Sequence, residues 1–277
     1  MGNERYLIIN ADDFGMCHST NQAISTLFLE KAITSASLMV TTPWVLEASS
    51  ILRQHPQMDV GVHITNTSEW EQYKWGGLTN SKTLVNDFGH FPADTQSIIA
   101  HADPEELQAE AIAQIELAYK LGVDPSNIDN HMKSMHHVTE ILIDLCTRYH
   151  LPLRYPKRSH AFLPENHQKL VSLAEQKGVL MPDFIEMLPF TPPEGEEPRY
   201  EITKQAAISY IRNLKPGITE LIFHPSLDTE ELKAITDTWS MRRFEFDVFR
   251  DQEIQSLLHS EDVRLISWRD LRKMQRL

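Results

Sequence analysis

A chain of 277 residues, 41% of them hydrophobic, can bury a large core, and its alternating strand and helix patterns predict one α/β domain over residues 1–277. With 39 acidic against 26 basic residues the net charge is -13, which argues against a nucleic-acid backbone or an anionic membrane as partner. Cys17 and Cys146, the two cysteines, cannot build a disulfide framework and lack Cys-x-x-Cys spacing, which fits a reducing cytoplasm. The start, Met-Gly-Asn-Glu-Arg, has no apolar leader region behind it, and no apolar run reaches the roughly 18 residues of a membrane span.

Tyr6 to Ile9 has the content of a buried parallel strand, and Asn10 to Gly15 is predicted as the loop at its carboxyl end. Loops in that place carry active sites in α/β sheets and barrels. The adjacent Asp12 and Asp13 would point in different directions, so one can hold a cation while the other takes protons; a pair capping the next helix is the alternative. Cys17 beside His18 suggests a thiol nucleophile only weakly, since adjacent residues rarely meet in the required geometry. A helix over 18–31 buries Ile24, Leu27 and Phe28, a strand follows over 35–40, and Pro43 opens a helix to about Gln54.

A third strand, Asp59 to Ile64, ends in His63, the place in its strand that the aspartates hold in theirs. Residues 65–102 lack a long periodic pattern and carry Trp70, Tyr73 and Trp75 among polar residues, a mixture suited to stacking on sugar rings; a satellite core under the loop is the other reading. Asp103-Pro104 opens a helix that runs to Leu121-Gly122. A short strand from Asn127 then leads to His131, while His136 and His137 start the helix carrying Ile141, Leu142 and Leu145. Three strand ends thus offer metal-type ligands, and a carboxylate with two neutral imidazoles leaves positions for water and substrate, as a catalytic divalent site requires.

Further on, Pro152 to Tyr155 reads as a short strand carrying Arg154, placed to meet a substrate oxygen or carboxylate, or else to pair with an acid. The Pro- and Glu-rich stretch 189–198 is an exposed, extended loop, read as a connector with a lid as the alternative, and 202–214 is helical. Thr219 to Phe223 is a strand delivering His224 to the same end. Arg242, Arg243 and Glu245 precede a last helix, and Val263 to Ser267 closes the sheet.

Asn-Ala-Asp-Asp-Phe-Gly at 10–15, Gly-Val-His at 61–63, Ile-Asp-Asn-His at 128–131 and Glu-Leu-Ile-Phe-His-Pro at 220–225 resemble, in order and spacing, the signatures of YdjC-like carbohydrate deacetylases, the group that includes chitooligosaccharide deacetylase. The resemblance implies a distorted (β/α) barrel related to polysaccharide deacetylases, with a divalent metal held by Asp13, His63 and His131. It also implies Asp12 as catalytic base and His224 as acid. The chain departs from the family pattern at Met132-Lys133, where many members have a histidine cluster, and at Ser226, where the usual residue is glycine. Neither departure removes a ligand.

The expected reaction is metal-assisted hydrolysis of an N-acetyl group on an amino sugar or oligosaccharide, with Arg154, Trp70, Tyr73 and Trp75 as substrate contacts. Two imidazoles suit Zn2+, cobalt or nickel, and a watery, oxygen-rich site also accepts Mg2+ or manganese. Two other readings compete. A phosphoesterase needs further cations or a basic clamp, for which the sequence offers mainly Arg154 and Lys133. A sugar-binding module without catalysis would have no use for a base and an acid. The sequence leaves the sugar, its chain length and any homo-oligomer open.

Overall fold

The computed structural model describes residues 3–158, 165–260 and 262–277; Met1 and Gly2, the start of the amino-terminal reading, lie outside them. Strand β1 (Arg5–Phe14) is central, with β2 (Ser35–Leu38), β3 (Val60–Ile64) and β4 (Ile128–Asn130) on one side and β6 (Gly217–Phe223) and β5 (Phe184–Met187) on the other. A short β7 (Arg264–Leu265) pairs with the start of β1. Every pairing is parallel. Leu153 bridges in parallel to Ile128, and its N–H donates to the carbonyl of Leu180 at 3.0 Å, bringing the β4 edge round toward β5. The result is a distorted (β/α) barrel.

Helices α1 (His18–Leu29), α2 (Val45–Gln54), α3 (Thr95–His101), α4 (Pro104–Lys120) and α5 (Thr139–Tyr149) follow the first strands. The later ones are α6 (His167–Gln176), α7 (Tyr200–Arg212), α8 (Glu230–Ile235), α9 (Trp239–Val248), α10 (Gln252–Leu258) and α11 (Trp268–Gln275). Among the described residues no helix is long and apolar enough to cross a membrane.

Strand alternation separates two environments. Leu7, Ile9 and Ala11 of β1, with Val60, Val62 and Ile64 of β3, face the main apolar core shared with the helices. The opposite face of β1 looks into the barrel. Its first fully buried residue there, Ile8, packs with Ile218, Trp268 and Leu271, with Tyr6 against them, a plug that α11 pushes into the amino-terminal end. Above the plug the inward positions turn polar: Asn10 and Asp12, Ser37, Asp129 and Glu220 are all buried. Parallel strands buried on both faces read as nearly continuous apolar runs, so a polar residue inside such a run marks the interior layer.

Several elements differ from expectation. The strand β1 continues through Asp12 and Asp13 to Phe14 instead of yielding to a loop at Asn10. Helix α3 lies inside the aperiodic stretch, started by Asp94, whose carboxylate accepts from the N–H of Ser97 at 2.8 Å. Arg242, Arg243 and Glu245 precede the last helix, as expected, but themselves lie within a helix, α9. The Pro152 to Tyr155 segment forms only the single bridge at Leu153. The edge strand β5 and helix α6 gave no clear sequence signal; β5 is partly exposed, so its apolar pattern is diluted.

Candidate active site

Adjacent aspartates can do different work because the strand bulges where they lie. β1 pairs with β6 as far as Ala11 opposite Phe223 and meets β2 again at Phe14 opposite Leu38, with a register shift between. Within that bulge Asp13 adopts φ 70, a left-handed conformation that Asp tolerates better than most side chains. Asp12 therefore keeps the inward direction of Ile8 and Asn10, while Asp13 swings toward His63 and His131. Gly15 closes the bulge with φ 97, where a Cβ would lie 2.8 Å from the carbonyl oxygen of Met39.

Asp13, His63 and His131 bring one donor atom each to within 4.8 Å of the others. Nδ1 of His131 lies 3.4 Å from Oδ1 of Asp13 and 3.2 Å from Nε2 of His63, which is itself 3.9 Å from that oxygen. Metal bonds of about 2.0 to 2.2 Å in tetrahedral geometry separate ligands by roughly 3.3 to 3.6 Å, so small shifts would seat an ion. Each of the three side chains is also held from outside. Asp129 pairs with Nδ1 of His63, Glu69 accepts from Nε2 of His131 at 2.8 Å, and Arg242 donates to Oδ2 of Asp13 at 2.8 Å. Such outer partners fix the ring orientation that ligation needs. The inward Oδ1 of Asp13 is buried without a hydrogen-bond partner, as a carboxylate oxygen reserved for a cation would be.

Supporting residues reach back into the barrel. Asn127 donates to Asp129 at 3.0 Å, and it fits only because residue 61 is glycine: a Cβ there would sit 2.0 Å from the Asn127 Oδ1. Ser37 donates to the same carboxylate at 2.6 Å.

Charge is arranged around the donors. Burial works against ionisation of Asp13, but the guanidinium of Arg242 and the His131 ring overcome it and hold the carboxyl well below its ordinary range. Burial likewise opposes charge on His131, yet Glu69 and Asp13 raise it to about 10, so the metal-free site carries an imidazolium where a cation would go. Burial lowers His224 to about 4 against the pull of Asp13 and Asp12, leaving that ring neutral at pH 7. Its Nδ1 is buried and unpartnered, its ring meets Phe190 edge-on at 4.8 Å, and its backbone N–H donates to Glu245.

The cleft over these groups has a volume of about 460 Å³ and joins Asp12, Asp13, His63, His131 and His224 to an apolar wall that includes Trp70 and Phe190. Of the three loop aromatics, Trp70 alone lines it. Trp75 is buried, with its indole N–H donating to the Thr67 carbonyl at 2.7 Å, and Tyr73 donates to the Met16 carbonyl at 2.6 Å. These two are placed as a satellite core rather than as a platform. Arg154 is placed differently from a free substrate contact: it borders the cleft, but its guanidinium is committed to Asp12 and Glu220. His136 also lines the cleft, at the 3-10 turn before α5, and burial lowers it to about 4.

Glu69, Asp129, Arg242 and Glu245 escaped the sequence reading as working residues. Asp129 had a usable signal, since it lies two residues before His131 and faces the barrel like Asp12. Arg242 and Glu245 sit three apart on α9, one face of a helix, but nothing local says that this face meets Asp13 and His224.

A parallel (β/α) barrel with two oriented imidazoles and a carboxylate at its carboxyl end is the class that this geometry defines. By family the chain belongs to the YdjC-like proteins, whose family model matches residues 6–260. It is 29% identical to a carbohydrate deacetylase of Geobacillus stearothermophilus over 98% of this chain and 99% of that one. A carbohydrate deacetylase of Thermus thermophilus is 27% identical over 99% of this chain and 96% of its own. Among solved structures, one from Enterococcus faecalis, provisionally described as a cellobiose-phosphate cleavage protein, superposes with a TM-score of 0.77 at 25% identity, covering 97% of this chain and 99% of that one.

Proposed function

We propose that this protein is a metal-dependent carbohydrate deacetylase, releasing acetate from an N-acetylated amino sugar or oligosaccharide. The observation that carries the reading is the convergence of Asp13 and two imidazoles, oriented from behind, whose donor atoms lie within 4.8 Å of one another in a cleft shared with Asp12 and His224. The names of the full-length relatives support the substrate class.

A divalent cation bound by Asp13, His63 and His131 would polarise the acetyl carbonyl and acidify the attacking water. Asp12 is fitted to take that water's proton: Asn10 and Arg154 fix its carboxylate plane, and its Oδ2 lies 3.7 Å from His63 Nε2, beside the donor cluster. As the carbon–nitrogen bond breaks, the departing amine needs a proton, and His224, which shares the cleft with the donor cluster and has an unpartnered Nδ1, is fitted to carry one. Because that ring rests neutral, it must take up the proton during turnover, and the one gained by Asp12 is the available source. Trp70 and Phe190 give the sugar an apolar wall.

Two nitrogen donors suit zinc, cobalt or nickel, and magnesium is the alternative where water completes the shell. A phosphoesterase is disfavoured because Arg154, half of the basic clamp it would need, is occupied by carboxylates. Cys17 and Cys146, free and buried, support a cytoplasmic location.

The test is acetate release from N-acetylglucosamine and its short β-1,4 oligomers by protein loaded with Zn2+ or Mg2+, beside chelated protein and Asp13→Asn. Release that depends on metal and on Asp13 is expected. Metal-loaded protein that frees no acetate from any of these sugars would overturn the deacetylase reading for that substrate class.

A further inference from the structure

In the long 65–94 connection, Thr65 donates its hydroxyl to the backbone carbonyl of His63 at 2.7 Å, whereas Glu69 meets the ring of a cluster member, His131. Its presentation is fixed rather than incidental. Ser68 beside it donates its N–H to the Pro92 carbonyl at 2.8 Å, Lys74 donates to the Ser68 carbonyl at 2.6 Å, and Trp75 ties down Thr67 through its indole N–H. Oε1 of Glu69 receives both the Thr67 hydroxyl at 2.9 Å and Nε2 of His131 at 2.8 Å. The other oxygen, Oε2, is buried and has no hydrogen-bond partner, and Glu69 is one of the residues that line the cleft.

The two oxygens thus have unequal surroundings. Leaving a carboxylate oxygen buried and unpaired is costly, and such an oxygen on a residue that lines a substrate cleft is best explained by a donor that arrives with the ligand. An acetylated amino sugar offers only hydroxyl and amide N–H donors. Trp70, the next residue, forms the apolar wall of the same cleft, so the donor would come from a ring lying against that indole.

We propose that Glu69 is a shared carboxylate, whose Oε1 orients His131 as a metal ligand while its Oε2 accepts a hydroxyl or amide N–H of the acetylated sugar. This rests on the metal-dependent deacetylase reading above. It makes Glu69 a positioning residue for the metal site and a binding residue for substrate, and it joins loop and ligand through one side chain. Asp129 plays the orienting part alone for His63, deep in the barrel where no substrate reaches it.

Glu69→Gln separates the two parts from a structural role. Glutamine can still accept from His131 through its carbonyl, but without charge, and it then presents an NH2 donor where Oε2 had accepted. Titration of the metal-free full chain with Zn2+ should show affinity weakened by about 10- to 100-fold. At saturating Zn2+, KM for diacetylchitobiose should rise by roughly tenfold or more, the fold-change of one lost charge-assisted hydrogen bond, in a variant that still unfolds cooperatively, its metal-free melting temperature lowered by loss of the Glu69–His131 ion pair. If Glu69→Gln fails to fold, Glu69→Asp, one methylene shorter, should give the same two shifts. Unchanged Zn2+ affinity, or unchanged KM in the metal-loaded variant, would overturn the proposal. Asp13→Asn distinguishes the failures: if it weakens Zn2+ binding while the Glu69 variants do not, Glu69 alone is misassigned, and if it too leaves binding intact, the metal reading falls and this proposal with it.

Discussion

Arg154 grips Asp12 with both of its terminal nitrogens, each 2.8 Å from a carboxylate oxygen, while its Nε faces Glu220 at 2.9 and 3.0 Å. A fork of this kind fixes the plane of a carboxylate as well as its position. One guanidinium cannot offset every acid around it. Burial raises Glu220 to about 7 despite Arg154, whereas Asp129 stays below its ordinary range because Arg154 and His63 overcome its burial. Lysine at this position would keep the charge and lose the fork. Arg154→Lys should therefore fold, bind Zn2+ normally and lose ~10²-fold in kcat, the scale of a misplaced catalytic group. Arg154→Met would strand buried carboxylates and should cost about 3–5 kcal/mol of stability in urea unfolding. Wild-type kcat in Arg154→Lys would show that the fork is dispensable.

Metal uptake should release a proton. In the metal-free protein His131 has a value of about 10 and is charged at pH 7, but its Nδ1 must be free of a proton to bind an ion. Calorimetric titration with Zn2+ at pH 7 in buffers of different ionisation enthalpy should give about one proton released per ion, with affinity rising toward higher pH. Zero net release would mean that His131 is neutral before the metal arrives.

A second pH effect belongs to the fold. Burial raises Glu245 to about 8, against the backbone N–H of His224 and the charge of Arg242, from an ordinary 4.5. The folded state therefore favours the protonated acid. That contribution is fully present below pH 4.5 and is lost as pH rises through about 8. The stability difference between parent and Glu245→Gln, measured on metal-free protein, should shift in the variant's favour as pH goes from 5 to about 9. His131, whose raised value adds a loss on the way to pH 10, is common to both proteins and cancels in the difference. A constant difference would place Glu245 in the ionised form throughout.

The aromatic loop divides into two kinds of residue. Trp70→Ala should raise KM for an N-acetylated oligosaccharide with little change in metal affinity, because its indole lines the cleft. Trp75→Ala should instead cost about 3–5 kcal/mol of stability, since that ring is buried and packed against both Trp70 and Tyr73. The opposite pattern would exchange their roles.

The sequence by itself determined the parallel α/β plan and the chain order of the strand ends, because a strand buried on both faces has to be an apolar run and a functional residue has to break it. That Asp12, Asp13, His63, His131 and His224 would meet at one end of the sheet was legible for that reason, each following its own run within its own motif. Asp12 and Asp13 could be told apart in kind but not in geometry: the left-handed bulge that turns one inward and the other toward the imidazoles depends on β1 pairing with two different strands. Tertiary structure alone decided that Arg154 serves Asp12 instead of standing free, and that Trp75 is core while Trp70 is wall. It also brought Glu69 from a loop and Arg242 from α9 to the backs of His131 and Asp13, positions 62 and 229 residues away in the chain. Local pattern carries the period of a residue's own strand or helix. It carries nothing about which distant element will supply the opposite charge or the second hydrogen bond, and that is fixed only when the barrel closes.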